Sequence, residues 1–225
     1  EIAMTEIKGK KYLVTGGTGF IGSNLVRRLI HEGAKVRCLD NNSRGLQSRL
    51  SDICGDVEFV VGDIRDSEIV DQAVKGVDSV CHLAYVNGTE YFYEKPDLII
   101  EIAVRGMMNI LDASIREGVG EFILASSSEV YQNANKIPTP EDVPLVVPDL
   151  LNPRYSYGGG KIVCELLVAN YGQKHFQRSF IFRPHNVYGP EMGNEHVIPQ
   201  FSARIKQLVE ENKEGIILFP IQGTG

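Results

Sequence analysis

The chain has 225 residues, 43% of them hydrophobic and 23% charged, a composition that can bury a sizeable core. Its net charge of −6, with no lysine or arginine run, excludes a surface that tracks nucleic acid, so any anion must be gripped locally. No stretch approaches the roughly 18 consecutive apolar residues of a membrane span, and no signal-peptide core precedes the first apolar run. The expectation is a cytoplasmic protein without membrane or nucleic-acid partners.

In chain order, short apolar runs alternate with longer segments of helical period, the pattern of βαβ units around a parallel sheet. Strands are expected at Lys11–Val14, Lys35–Leu39, Glu58–Val61, Ser79–Leu83, Glu121–Ala125 and Ser179–Arg183. Helices are expected at Phe20–His31, Ser67–Lys75, Pro96–Glu117, Gly160–His175 and Pro199–Glu210. Gly33 follows the first helix as a stop signal, and Pro96 opens the third where its missing N–H costs nothing. Between Gln132 and Arg154 prolines recur without helical period, which predicts a long surface excursion of the kind that borders active sites. The fold class is therefore doubly wound α/β.

Cys38, Cys54, Cys81 and Cys164 are widely spaced and form no CxxC pair, and the histidines are scattered. Three of the cysteines lie in or beside apolar runs and read as small buried hydrophobes, and the arrangement predicts no metal site.

Gly16, Gly19 and Gly22 form a GxxGxxG turn after the first strand and before the first helix, where backbone can approach a pyrophosphate without Cβ interference. A tight strand-to-helix turn would also select glycine. Asp40, at the end of the second strand, is placed to accept both hydroxyls of an adenosine ribose and to repel a 2′-phosphate. This favours NAD over NADP, with Arg44 nearby as the feature that keeps NADP open; Asp40, Asn41 and Asn42 also read as a simple turn. Asp63, after the third strand, is a candidate for the adenine edge or an ordinary helix-capping acid.

The ordered motifs TGGTGFIG, GDIRD, HLA, SSSEVY, YGGGK and RPHNVYGP span nearly the whole chain. Together they resemble the extended short-chain dehydrogenase/reductases, in particular the NAD-dependent nucleotide-sugar epimerase/dehydratase branch. The resemblance implies a Rossmann domain over residues 1–184 that binds NAD. Residues 185–225 would begin a nucleotide-sugar-binding region that is incomplete at Gln222–Gly225, where relatives continue into a further arginine-bearing motif. It also implies that Gly16, Gly19, Phe20 and Ile21 cradle the pyrophosphate. Asp40, with Asn41 and Ser43, would serve the ribose; Asp63 and Ile64 the adenine; Leu83, Ala84 and Ser126 the remaining cofactor surface.

Tyr157 and Lys161 are four residues apart at the start of a helix and project from one face. A phenol beside an ammonium is biased toward its phenolate, which can take a proton from a sugar hydroxyl as NAD takes hydride from the same carbon. Gly158, Gly159 and Gly160 between them fit a close approach by substrate or backbone, or a frayed helix start.

By resemblance, Ser127 is the catalytic hydroxyl that bonds the reacting sugar oxygen, and Asn186 contacts the substrate near its diphosphate. Glu129 is the position that separates the branches. Family dehydratases carry an Asp-Glu pair after the catalytic hydroxyl, whereas Ser128-Glu129 stands here, a pair also seen in decarboxylating relatives. An epimerase, expected at the sugar C4, is the leading reading. A 4,6-dehydratase, a uronic-acid decarboxylase and a non-catalytic NAD-binding module are the alternatives, and Glu129 as an acid tying down the proline-rich loop is another. Ala103 stands where relatives place an asparagine near the cofactor. The expected partners are a nucleoside-diphosphate sugar and a second copy of the chain, packed through Pro96–Glu117 and Gly160–His175.

Overall fold

The computed structural model describes residues 7–193 and 197–211. The chain divides into two compact units between Val187 and Tyr188.

The first unit is a six-stranded parallel sheet ordered β3-β2-β1-β4-β5-β6. Its strands are β1 (Lys11–Thr15), β2 (Lys35–Asp40), β3 (Val57–Val61), β4 (Ser79–His82), β5 (Glu121–Ala125) and β6 (Arg178–Phe182). Alternate β1 side chains enter two separate cores, as side-chain alternation requires of a sheet covered on both faces. Leu13 joins Val80, Phe122 and Leu124. Tyr12 and Val14 join Val26, Val36 and Cys38 on the other side.

β1 pairs with both β2 and β4, so the chain reverses its winding direction at β1 and opens a crevice at the carboxyl ends of β1 and β4. Thr15 is in register with Leu39 and His82 there, which brings the segments after β1, β2 and β4 to one edge.

Helix α1 (Phe20–His31) has the expected bounds, and α2 (Ser67–Val74) is capped by the Asp66 carboxylate, which accepts from the Glu68 and Ile69 amides. The short α3 (Thr89–Glu94) and the 3-10 turns within Gln47–Asp56 were not predicted, because they are too brief to show a helical period. The helix expected over Pro96–Glu117 is interrupted: α4 (Pro96–Glu101) and α5 (Met107–Arg116) flank a π turn at Ile102–Gly106. Small residues favour the insertion there. A Cβ on Gly106 would lie 2.6 Å from Ile64 Cδ1, and the Ala103 carbonyl accepts from Cys164 Sγ at 3.4 Å.

α6 spans Ser156–His175, four residues ahead of the predicted start, so the glycine run lies inside the helix and is not frayed. The close approach is made by the chain itself. A Cβ on Gly158 would sit 2.9 Å from the Glu129 carbonyl, and one on Gly160 would collide with the Tyr85 hydroxyl.

Within the second unit, α7 covers Val197–Glu210 and begins before the expected Pro199, which falls in the first turn, where proline is tolerated. Gln222–Gly225 lie outside the described residues. Among the described residues no helix is long and apolar enough to cross a membrane, and no group of three or more His, Cys, Asp or Glu side chains could hold a metal ion.

Candidate active site

The glycine turn after β1 is shaped by close backbone contacts. Gly16 has φ +71°, and a Cβ there would lie 2.8 Å from the Ala84 amide nitrogen; one on Gly22 would overlap the Gly16 carbonyl. Side chains at either position would separate the turn from Leu83-Ala84 or from α1. Gly19 caps α1 without any side-chain hydrogen bond, and no acidic residue occupies the first turn, so the Phe20 and Ile21 end of the helix carries positive dipole character available to an anion.

Thr15 joins this turn to the segment after β4. Its Oγ1 accepts from the Leu83 and Ala84 amides at 3.2 and 3.1 Å and lies 2.8 Å from His82 Nδ1. With both lone pairs used, the Thr15 hydroxyl must donate to Nδ1, which fixes His82 as the neutral tautomer protonated at Nε2. Burial, with the Lys161 charge adding to it, pushes His82 down to about 3. A histidine held neutral in the fold takes up its proton only on unfolding, so this contribution is complete above pH ~6.5 and is lost as pH falls from there toward about 3. We expect a stability slope of up to about 1.4 kcal/mol per pH unit in that window, measured by urea unfolding, and a flatter profile for His82→Asn.

Asp40 lies beside the glycine turn. One carboxylate oxygen accepts from the Thr18 amide at 3.0 Å and the other from the Asn42 amide at 2.8 Å. The turn reading is therefore realised, and a carboxylate with roughly four acceptor positions keeps room for further donors. Asn41 donates to Asp63 at 2.9 Å and accepts from the Ser43 amide at 3.0 Å, which puts all three residues on the same rim. Asp63 is held mainly by Arg65, through its side chain and backbone, which lowers its carboxyl to about 2. Arg65 also pairs with Glu101 at 2.6 Å, a link that no sequence spacing announced. Ile64 is buried beneath Gly106.

Ser126, Ser127, Tyr157 and Lys161 are all buried, around the end of β5 and the start of α6. The Ser127 Oγ accepts from the Glu129 amide at 3.2 Å, and the Ser127 hydroxyl works to lower the pKa of the Tyr157 phenol. Tyr157 nevertheless stands above the ordinary tyrosine value, because burial dominates and the Glu129 carboxylate adds to it. Lys161 is not among the groups that set this shift, whereas the expectation from sequence rests on its ammonium together with a cationic nicotinamide. The Lys161 ammonium instead donates to the Ala125 carbonyl at 2.8 Å and lies 5.9 Å from the Tyr157 ring centroid. Burial lowers Lys161 to about 8.

Ser126 donates to Glu165, whose carboxylate also accepts from Arg183 Nε at 2.9 Å and Nη2 at 2.7 Å. Arg183 reaches on to the Tyr131 hydroxyl and the Glu141 carbonyl, so one guanidinium ties β6 to α6 and to the proline-rich loop. Both carboxylate oxygens of Glu129 face Arg154 Nη2 at 3.2 Å, and the Arg154 guanidinium stacks over Phe92, itself packed on Tyr157.

A pocket of about 530 Å³ opens on the proline-rich excursion, lined by Ser128, Tyr131, Gln132, Thr139, Arg183 and His185 among others. Neither Tyr157 nor Lys161 lines it; Ser128, next to Ser127, joins the two. Asn186 is exposed just beyond Pro184, whose carbonyl accepts from the Ser128 amide. Arg65, Tyr85, Arg154, Glu165 and Arg183 went unread in the sequence. Arg65, Tyr85 and Arg183 carried a signal, by lying within or adjoining the GDIRD, HLA and RPHNVYGP motifs.

The NAD dependent epimerase/dehydratase family model matches residues 12–222. A UDP-glucose 4-epimerase of Neisseria meningitidis serogroup B is 36% identical over 72% of this chain and 48% of its own length. A dTDP-glucose 4,6-dehydratase of Streptomyces antibioticus is 32% identical over 84% of this chain and 57% of its own. Among solved structures, a UDP-N-acetylglucosamine 4-epimerase of Methanobrevibacter ruminantium, in complex with UDP-N-acetylmuramic acid, superposes with a TM-score of 0.79. It has 27% identity, over 89% of this chain and 64% of that one. The chain thus spans roughly half to three fifths of the length of these curated relatives. With the parallel sheet, the glycine turn and the Tyr157–Lys161 pair in place, the chain belongs to the NAD-dependent epimerase/dehydratase family of enzymes.

Proposed function

We propose that this protein is a nucleotide-sugar 4-epimerase. The observation that carries the choice among family reactions is Glu129. Both of its oxygens are engaged by Arg154, so the acid next to the reacting hydroxyls is committed to an ion pair. Elimination of water needs a further free acid and base beside the sugar. Inversion at one carbon needs only the proton carrier and the hydride carrier.

The cofactor reading rests on the glycine turn, whose close packing at Gly16 and Gly22 sets the uncapped, acid-free start of α1 at the end of β1, and on Asp40 at its rim. Gly16, Gly19, Phe20 and Ile21 would hold the pyrophosphate, Asp40, Asn41 and Ser43 the ribose, and Asp63 and Ile64 the adenine. Leu83, Ala84 and Ser126 complete the wall. Bound NAD⁺ supplies the hydride acceptor and a cationic ring.

Tyr157 takes the proton of the C4 hydroxyl, the Ser127 hydroxyl steadies the oxygen as it becomes a carbonyl, and Lys161 offsets the phenolate charge. The same groups return the proton after the keto sugar presents its other face. Asn186 and the pocket beside Ser128 receive the sugar nucleotide. Incubating the protein with UDP- and dTDP-hexoses is expected to yield a C4-inverted sugar of unchanged mass. A product lighter by one water would make it a dehydratase.

A second copy of the chain is the expected partner. Ile100 and Val104 on α4 and the π turn, and Val163 and Leu166 on α6, are exposed apolar side chains on neighbouring helices. Val104→Glu with Leu166→Glu is expected to convert a dimer to a monomer in sedimentation velocity; unchanged sedimentation would remove the face from consideration.

A further inference from the structure

Lys161 is buried and makes no direct ion pair among the described residues, although the Glu165 charge favours its protonated form. The Ala125 carbonyl of β5 accepts from one of the three ammonium N–H groups. Glu165 on the same helix is committed to Arg183 and Ser126, and His82 on β4 is neutral. Cys164 donates to Ala103 of the π turn, and Tyr157 stands 5.9 Å away by its ring centroid.

Tyr85, from the segment after β4, lies against the ammonium as well. Its ring centroid lies 3.9 Å from the Lys161 Nζ, and the ring meets Tyr157 edge-on at 5.2 Å and 87°. The Tyr85 hydroxyl is buried without a hydrogen-bond partner, over Gly160 and close to Ala103.

We propose that the Tyr85 ring is a positioning residue for the reaction: its π face holds the Lys161 ammonium in place and charged beside Tyr157, where a carboxylate would otherwise be needed. The inference rests on the reading of Tyr157 and Lys161 as the reacting pair. A cation over an aromatic face is stabilised most where water is excluded, as it is here. A carboxylate in the same place would add negative charge next to Tyr157 and oppose phenolate formation, whereas a ring holds the cation without a net charge. Gly160 fits this arrangement, since any Cβ there would collide with the Tyr85 hydroxyl and shift the ring. The face matters in this account and the hydroxyl does not, so phenylalanine is expected to serve equally well.

The test is the protonation of Lys161 itself, followed by competitive acetylation with trace acetic anhydride across a pH series and peptide mass spectrometry. It is run on the wild type, Tyr85→Phe and Tyr85→Leu, with and without NAD. Tyr85→Phe is expected to titrate like the wild type. Tyr85→Leu is expected to lose the Lys161 charge about one pH unit lower, a tenfold smaller charged-to-neutral ratio at any given pH. The alkaline limb of turnover should move down by the same amount.

Fluorinated phenylalanines at position 85 keep the shape and weaken the face, so the midpoint should fall stepwise with fluorine number even if the leucine variant does not fold. Equal midpoints through the fluorine series, or an equal shift in Tyr85→Phe and Tyr85→Leu, would overturn the proposal. A wild type that turns over no nucleotide sugar defeats the epimerase reading alone, and the Lys161 titration still decides the role of Tyr85.

Discussion

Tyr157→Phe is expected to lower turnover at least about a thousandfold while the protein keeps NAD and its fold, measured by product formation together with bound-cofactor content and thermal unfolding. The ring is what packs. Tyr157 is buried against Tyr85 and Phe92, contacts that phenylalanine retains. The hydroxyl is what reacts. Burial, with Glu129 adding to it and Ser127 opposing it, raises its pKa, so an unassisted phenol there would hold less phenolate at neutral pH than free tyrosine. Positive charge from Lys161 and from a bound cofactor would have to overcome that rise. Ser127→Ala should therefore cost less than Tyr157→Phe, because it removes a hydrogen bond and leaves the proton acceptor.

Glu165→Ala is expected to destabilise the protein by about 3–5 kcal/mol, read as a shift in the urea midpoint. Glu165 is buried on α6 and satisfies Arg183 and Ser126 together. Truncating it strands a largely enclosed guanidinium, a cost far above that of a surface ion pair. The effect reaches the site as well. Ser126 precedes Ser127, and Arg183 reaches Tyr131 and the Glu141 carbonyl, so the end of β5 and the proline-rich loop lose a common anchor. Arg183→Lys should recover little, because an ammonium cannot fork between Nε and Nη contacts to one carboxylate.

The cradle and the reacting pair were legible because each is local. Gly16, Gly19 and Gly22 occupy one turn, and Tyr157 and Lys161 one helix face, so spacing alone placed them together. Six strands and the long helices were legible for the same reason, with ends displaced by a residue or a few. The π turn was hidden, since Ile102–Gly106 has the helical period of its flanks and the insertion is set by packing against Ile64 and Cys164.

The electrostatics were hidden too. The direction of the Tyr157 shift depends on burial, and the partners of Lys161, Glu129, Asp63 and Glu165 come from segments tens of residues away or from turns with no period. Tyr85 illustrates the limit. Beside HLA it reads as one more apolar residue, and only the fold sets its face against the ammonium.

On the proposed function, Tyr157 would take the proton of the sugar C4 hydroxyl in a site where NAD⁺ would supply the hydride acceptor. The direct measurement is NADH fluorescence after rapid mixing of NAD-loaded protein with UDP- and dTDP-hexoses in single turnover. A transient rise with at least one of these sugars, absent in Tyr157→Phe, is the predicted result. No rise across the panel in protein shown to carry NAD, or an equal rise in Tyr157→Phe, would contradict it.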